Sequence, residues 1–241
     1  MADPVILSSY DGGKHNANLD ATISRLDREG AYKDLRTIII IPALQKVDTK
    51  AVASWWSMIT PPNQGVVRLF AQNMEVGAAY SATIESVLAH PDLKDWPYIL
   101  TMEADNVVPP DGLLKLLAEM EAHPEYACIG GLYFTKGFGG VAQIWGNPSE
   151  HPVNFKPQRP DPNGGLVPCT GTGMGFNLWR TKMFKDERLR RPWFRTVANS
   201  KEGVGTQDLH AWSDFFKHGY KAAIDCSVKV GHVDSASGFV W

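Results

Sequence analysis

The run of four consecutive isoleucines at positions 38–41 constrains the fold of this chain more than any other sequence feature. Isoleucine is β-branched and favours extended backbone, and an unbroken apolar run leaves no side of a strand facing water. Such a run is typical of a strand buried on both faces, as in a parallel sheet covered by helices on both sides. The sequence therefore predicts an α/β fold whose first strand lies at 37–41, ended by Pro42.

Three apolar helical patterns alternate with three further buried-strand patterns after this strand. In chain order they occupy 52–59, 66–70, 76–88, 98–102, 113–120 and 128–132. This β-α-β-α-β-α-β order predicts a Rossmann-like α/β fold, in which a mostly parallel central sheet is flanked by helices. We expect Asp48 or Thr49 to cap the first of these helices and Asn73 to cap the second.

The second half of the chain carries weaker patterns. Residues 136–168 are rich in Gly, Pro and Asn and predict a long irregular insertion, a kind of segment that is usually functional or mobile. A strand is predicted at 176–179, a helix at 207–217 and a half-buried strand at 224–230. The predicted organisation has four parts: an N-terminal extension at 1–36, two domain halves at 37–135 and 136–232, and a C-terminal tail at 233–241.

Composition excludes several classes of protein. With 44% hydrophobic and 21% charged residues, the chain is neither disordered nor a coiled coil as a whole. A net charge of -2 gives no global basic field for nucleic acid. Three distant cysteines without a CxxC pair argue against a disulfide framework or zinc knuckle. No apolar stretch approaches a membrane span and no secretory signal is evident, so we expect a cytoplasmic protein with no membrane partner.

Four polar residues fall where chemistry is expected in such a fold. Glu103 and Asp105 follow a buried strand, and ligands of open α/β sheets bind just beyond the carboxyl ends of the strands. Carboxylates there suit Mg²⁺ or Mn²⁺ that also binds substrate phosphates. His232 ends the last strand, and Asp208 lies in the first turn of a helix. The alternative interpretation is structural: solvated acids, a core histidine, and an acid that complements a helix dipole.

Familiar nucleotide and hydrolase motifs are not matched. The glycines at 171, 173 and 175 precede a predicted strand, so the Rossmann fingerprint fails on its context. The sequence also lacks a P-loop, an HExxH motif and a GxSxG elbow.

The order of these parts resembles that of the GT-A glycosyltransferases, especially their family-2-like group. The resemblance covers residues 37–232. Glu103-Ala104-Asp105 is similar to the family's DxD motif, and 171–180 is similar to its Gly-rich segment facing the acceptor. The segment 205–209 is similar to its Glu-Asp motif, and 227–232 to the strand whose terminal histidine joins the metal.

The resemblance implies a GT-A fold and a transferase that moves a sugar from a nucleoside-diphosphate sugar, with a UDP-sugar favoured, to an acceptor hydroxyl. It implies Mn²⁺ or Mg²⁺ held by Asp105 and His232, and Asp208 as the base in an inverting mechanism. Glu103 would contact the donor ribose, or the metal through water. The residues implied to contact substrates are Pro42, Ala43, Leu44, Gln72, Glu103, Ala104, Gly173 and Gln207.

The sequence leaves the identity of the acceptor undecided, and two other functional classes are alternatives to the transferase. The basic, aromatic segment 182–195 could dock a polyanion such as modified DNA, or could be a solvated helix face. A non-catalytic nucleotide-sugar-binding module and a sugar-phosphate nucleotidyltransferase are the alternatives. The latter normally carries a Gly-rich loop after its first strand, and 43–46 contains no glycine. We expect the insertion at 136–168 and the tail at 233–241 to act as lids over the donor.

Overall fold

The isoleucine run forms a strand in which positions 38–41 are all 0% exposed. The structure, a computed structural model, describes residues 33–43, 46–197 and 205–241. Its elements in chain order are β1 (Thr37–Ala43), α1 (Thr49–Ser57), β2 (Val66–Gln72), α2 (Val76–Ala89), β3 (Tyr98–Met102), β4 (Asn106–Val107), α3 (Gly112–Ala122), β5 (Tyr126–Leu132), β6 (Ile144–Trp145), β7 (Leu166–Cys169), β8 (Gly171–Thr172), β9 (Phe176–Arg180), a 3₁₀ helix (Thr181–Lys185), α4 (Gln207–Lys217), β10 (Lys221–Lys229) and β11 (Gly231–His232).

Seven of these strands form the central sheet, in the order β2-β1-β3-β9-β5-β10-β7. β1 pairs parallel with β2 and β3, and β5 pairs parallel with β10. β9 lies antiparallel between β3 and β5, and β7 lies antiparallel to β10. Five strands therefore run in one direction, and their carboxyl ends share one edge with the start of β9. The predicted Rossmann-like α/β fold is confirmed, as a mixed sheet.

Helices cover both faces of the sheet, and the isoleucines divide between those faces. Ile38 and Ile40 pack in the apolar cluster to which α2 and α4 contribute. Ile39 and Ile41 pack in the cluster to which α1 and α3 contribute. Each fully buried isoleucine stabilises the fold by about 1.5–3 kcal/mol. The predicted burial of this strand on both faces is therefore confirmed, because alternate isoleucine side chains pack in the two apolar clusters.

The buried side of α1 differs from the predicted one. The spacing of Val52, Trp55, Trp56 and Ile59 predicts a single apolar stripe, but Trp56 is 88% exposed and Ile59 is 50% exposed. The helix ends at Ser57, so Ile59 lies outside it. The side that faces the core is instead formed by Ala51, Ser54 and Trp55.

Two predicted element ends are also wrong. Asn73 has a left-handed backbone (φ 60°), and α2 is capped two residues later by Glu75, whose carboxylate accepts the N–H of Ala78 at 2.9 Å. Pro42 continues β1 rather than ending it, because at that point only the β2 side of the strand is still paired. Asp48 caps α1 as predicted, through the N–H of Lys50 at 2.8 Å.

Other predictions in the second half are corrected in detail. β10 is more deeply buried than predicted, because β5 and β7 flank it and even Asp225 is only 4% exposed. The insertion at 136–168 is not wholly irregular, since it contains β6 and the start of β7. The short N-terminal helix indicated by Leu19, Ile23 and Leu26 lies outside the described residues.

Leu35–Trp241 form one compact unit, which holds every element named above. Within the part of the chain that the structure describes, no helix has the length and apolar character needed to cross a bilayer.

Candidate metal centre

Three predicted site residues come together at the carboxyl edge of the sheet. Glu103 and Asp105 follow β3 directly, and His232 lies in β11 just after β10. β4 and β11 pair antiparallel with His232 opposite Asn106, and the N–H of Val233 donates to the Asp105 carbonyl at 2.8 Å. These backbone contacts place one ligand atom each of Glu103, Asp105 and His232 within 4.8 Å of one another. A small cation could contact all three.

The backbone also fixes how His232 is turned. Its Nδ1 lies 2.9 Å from the carbonyl oxygen of Phe134, which can only accept, so Nδ1 carries the proton. Nε2 then faces Asp105, 3.3 Å from Oδ2. A histidine whose second nitrogen is held by a carbonyl is the usual arrangement for a metal ligand. The ring of Tyr133 packs edge-on against this imidazole, with centroids 5.8 Å apart.

The two acids have opposite electrostatic environments. Burial, followed by the charges of Asp105 and Asp208, raises the pKa of Glu103 to about 7. Burial also acts to raise the pKa of Asp105, but hydrogen bonds from His232 and Lys136 outweigh it and lower that pKa to about 2. Burial acts to lower the pKa of His232, and its hydrogen bond to Asp105 reverses this and raises it. Asp105 is therefore the ionised acid of the pair at neutral pH.

A lysine that the sequence analysis missed completes the cluster. Lys136 Nζ lies 2.6 Å from Asp105 Oδ2, in an ion pair that is about one-third exposed on each side chain. Lys136 comes four residues after β5, at the same sheet edge as the other site residues. A cation in a Gly-rich loop at that edge was the available signal, and it was interpreted only as part of a lid.

A cleft of about 540 Å³ opens beside the cluster. Its walls include six of the predicted site residues: Pro42, Ala43, Glu103, Ala104, Asp105 and His232. The other residues of the wall were not predicted to belong to a site: Lys46, Val47, Asp48, Met74, Val76 and Ser235. Leu44, also predicted to contact the nucleotide, lies outside the described residues. Gln72 is exposed at the end of β2, where it pairs in register with Ala43.

Glycines behind the cluster serve packing. Gly173 is buried, and a Cβ there would collide with the hydroxyl of Tyr133. A Cβ on Gly175 would lie 2.6 Å from the same ring, whose hydroxyl accepts the Gly175 N–H at 2.9 Å. The structure thus places Gly173 behind the site, against Tyr133, and not in the wall of the cleft. Tyr133 in turn supports His232, so these glycines act on the cluster through the tyrosine.

Asp208 lies near the cluster but is not one of its three ligand residues. It is 7% exposed in the first turn of α4, and its Oδ1 accepts the N–H of Leu209 at 2.8 Å. Burial raises its pKa, although hydrogen bonds from Thr206 and Leu209 act in the opposite direction. Its charge contributes to the raised pKa of Glu103. The preceding Gln207 packs against Gly77 at the start of α2, so α4 enters the site beside α2.

The segment 182–195 differs from the prediction in its aromatic residues. Phe184, Trp193 and Phe194 are at most 1% exposed and belong to the core, so they offer no surface on which bases could stack. Lys185 pairs with Asp95 at 2.8 Å. These buried aromatic side chains therefore give no support to docking of a polyanion, and only the basic side chains of the segment still support it.

Comparison with known proteins leaves the family open. No protein-family model matches the chain, and no curated protein matches it. Solved structures do match, and one is the crystal structure of A197 from STIV. That likeness has a TM-score of 0.58 at 17% sequence identity, and it covers 83% of this chain and 86% of A197. At this identity the likeness shows a shared fold alone.

Proposed function

We propose that this protein is a metal-dependent GT-A glycosyltransferase, which moves a sugar from a nucleoside-diphosphate sugar to an acceptor hydroxyl. One observation carries the proposal: residues 129 positions apart in the sequence, Glu103 and His232, meet with Asp105 beside a cleft at the carboxyl edge of the sheet. Ligands of open α/β folds bind at this edge. A structural role alone gives no reason for two acids and an oriented imidazole to share a cleft wall.

The donor set suits a divalent cation. Two carboxylates supply hard oxygen ligands, and a neutral imidazole with Nδ1 held by the Phe134 carbonyl supplies a nitrogen. Mn²⁺ accepts both kinds of ligand, and Mg²⁺ prefers the oxygens. A divalent cation held by Asp105, His232 and Glu103 would stabilise the charge on the departing nucleoside diphosphate as a Lewis acid.

The protein's own residues would bind the donor and take the proton. Pro42, Ala43 and Ala104 line the cleft and give the nucleotide an apolar wall. Asp208 is the proposed base: the acceptor oxygen bonds to the anomeric carbon, the bond from that carbon to the phosphate oxygen breaks, and the acceptor proton moves to the Asp208 carboxylate. Burial raises the pKa of Asp208, which strengthens it as a base.

Donor turnover with and without metal tests the proposal. Nucleoside-diphosphate sugars are first screened for thermal stabilisation in Mn²⁺, and the best donor is then assayed for hydrolysis or transfer. We expect excess EDTA to abolish turnover and Asp105→Asn to lower it by about 100-fold or more, because a metal ligand is lost. Asp95→Asn is the matched control, since Asp95 forms an ion pair with Lys185 away from the cleft. Turnover that survives both EDTA and Asp105→Asn would refute the metal role.

A further inference from the structure

Lys136 is held in the site by its side chain and by the base of its loop. Its Nζ lies 2.6 Å from Asp105 Oδ2. Thr135 and Val141 close the loop, since the Thr135 N–H donates to the Val141 carbonyl at 2.9 Å and the Val141 N–H donates to the Thr135 hydroxyl at 2.8 Å. Lys136 therefore stands at the first position of a closed five-residue loop, directly beside the cluster.

Residues 137–139 of this loop pack loosely, whereas Gly140 lies close to the Thr135 carbonyl at the base of the loop. Gly137 and Gly139 adopt left-handed backbone (φ 100° and 76°), and a Cβ on either would meet nothing within 4 Å. Phe138 is fully exposed, although its ring contacts Trp241 edge-on at 5.6 Å. Glycines free of packing permit the backbone to change conformation at small cost. The ammonium of Lys136 can thus leave Asp105 while the base of the loop stays closed.

The ammonium and a divalent cation would compete for the same oxygen. Asp105 Oδ2 faces both Lys136 Nζ and His232 Nε2, at 2.6 and 3.3 Å. A cation that binds Asp105 and His232 would come within a few ångströms of the lysine, and like charges at that distance repel strongly in a partly buried site. Binding of a divalent ion at Asp105 therefore weakens the ion pair between Asp105 and Lys136.

We propose that Lys136 is a tethered cation, which neutralises Asp105 until a divalent ion displaces it and which then binds the phosphate of the donor. The inference rests on the proposed function for the identity of that phosphate group. Lysine is a common phosphate ligand because its ammonium is a compact charge with three donors. Once displaced, the Lys136 ammonium has lost its carboxylate partner, Asp105, which lines the cleft that a diphosphate would enter.

Mn²⁺ affinity without any nucleotide tests the displacement. Lys136→Met removes the competing charge, so we expect Mn²⁺ to bind about 3- to 10-fold more tightly than to the unmodified protein, by calorimetry or Mn²⁺ electron paramagnetic resonance. Lys136→Arg keeps the charge and should change this affinity little. Lys185→Met is the matched control, because it also breaks an exposed lysine–aspartate pair, at 2.8 Å, but away from the cleft.

Nucleoside-diphosphate affinity tests the second half of the proposal. UDP, GDP, ADP and CDP are each titrated at saturating Mn²⁺, and the tightest binder is carried to the variants. We expect Lys136→Met to weaken that binding about tenfold or more, while Lys136→Arg retains most of it. A purely structural role for Lys136 would not move the two affinities in opposite directions.

The outcomes separate this inference from the proposed function. Equal Mn²⁺ affinity in the unmodified protein, Lys136→Met and Lys185→Met overturns the displacement and leaves the metal site intact. Mn²⁺ binding with no binding of the four diphosphates, or with equal diphosphate affinity in Lys136→Met, overturns the phosphate role. Failure of every variant to bind Mn²⁺ overturns both. Tighter Mn²⁺ binding in Lys136→Met supports the displacement even if no sugar is transferred.

Discussion

Asp105 is the residue on which the interactions of the site converge. Its carboxylate faces Lys136 and His232, and its carbonyl accepts the N–H of Val233 at 2.8 Å. The hydrogen bonds that lower its pKa to about 2 keep it ionised at neutral pH. Glu103, two residues earlier, is more deeply affected by burial and by neighbouring negative charge, so its pKa rises to about 7. One acid is always charged and the other titrates near neutrality.

This difference predicts that Mn²⁺ binding depends on pH. A metal ligand must be deprotonated, and Glu103 is protonated below its pKa of about 7. We therefore expect Mn²⁺ affinity to rise about tenfold between pH 6 and pH 8, as measured by calorimetry. The raised pKa of His232 acts in the same direction, because its protonated ring cannot bind a metal.

Glu103→Gln is the variant that assigns the pH effect. It should bind Mn²⁺ more weakly at pH 8 and retain only the pH dependence that His232 contributes. If Glu103→Gln shows the same pH slope as the unmodified protein, Glu103 is not a ligand.

At the scale of single residues, the sequence was informative where position along a strand determined the outcome. Glu103, Asp105 and His232 could be identified because each follows a recognisable strand. Tyr133 could not be identified, and the only signal for Lys136 was its place in a Gly-rich loop at the sheet edge. The roles of both residues depend on which side chain lies across that edge. The contact of Gly173 with Tyr133 could not be predicted for the same reason, because the two residues lie 40 positions apart in the sequence.

At the scale of elements, α1 links the core to the site. Trp55 packs in the core at 7% exposure, and its Nε1 donates to the carbonyl of Asn106 at 3.2 Å. Asn106 is the residue opposite His232 in the β4–β11 ribbon. Ser54 adds a second tie, because its hydroxyl accepts the N–H of Val108 at 3.0 Å. The helix therefore braces the segment that carries Glu103 and Asp105.

Two adjacent tryptophans give a direct test of how α1 is oriented. We expect Trp55→Ala to lower the free energy of unfolding by about 3–5 kcal/mol, because it leaves a cavity in the core and removes the bond to Asn106. Trp56→Ala should change it by no more than about 0.5 kcal/mol, since Trp56 is 88% exposed. Chemical denaturation of both variants measures the difference. Equal losses would mean that both tryptophans contribute to the core, which contradicts this orientation of α1.

Strand identity could be predicted from the sequence, but strand neighbours could not. Apolar runs predict four of the strands of the sheet, at 37–43, 66–72, 98–102 and 126–132. The weaker pattern of β9 also predicts a strand, but nothing in it indicates that this strand lies antiparallel between β3 and β5. The periodicity of apolar residues indicates which faces of a strand are buried, but it does not indicate which strand pairs with it. The helix orientation error at Trp56 has a similar origin, because a tryptophan at helical spacing need not reach the core.

At the scale of the whole molecule, the site depends on contacts between segments from both halves of the chain. The first half supplies Glu103 and Asp105, the connection after β5 supplies Lys136 and the Phe134 carbonyl, and the last strands supply His232. Sheet order brings these together, because β3, β5 and β10 all end at one edge. Forming the centre therefore requires the complete sheet.

The C-terminal tail continues this arrangement past His232. The backbone N–H groups of His232 and Trp241 each donate to the other residue's carbonyl at 3.0 Å, and the Asp234 N–H donates to the Phe239 carbonyl at 2.8 Å. Val233 and Val240 form a bridge within this turn, and Ser235 lines the cleft. The tail thus holds the backbone of His232 in place through these hydrogen bonds.

Deleting residues 234–241 should therefore weaken Mn²⁺ binding without unfolding the protein. The deletion removes both backbone bonds between His232 and Trp241, so we expect Mn²⁺ affinity to fall about tenfold. The protein should stay folded, with at most a modest fall in melting temperature, because no residue of 234–241 belongs to either buried apolar cluster. Phe239→Ala in the full chain is the control for loss of an exposed side chain. If the tail acted only as a lid over the donor, the deletion would change donor affinity and leave Mn²⁺ affinity unchanged. Titrating the deletion variant with both ligands therefore distinguishes a tail that positions His232 from a tail that only closes over the cleft.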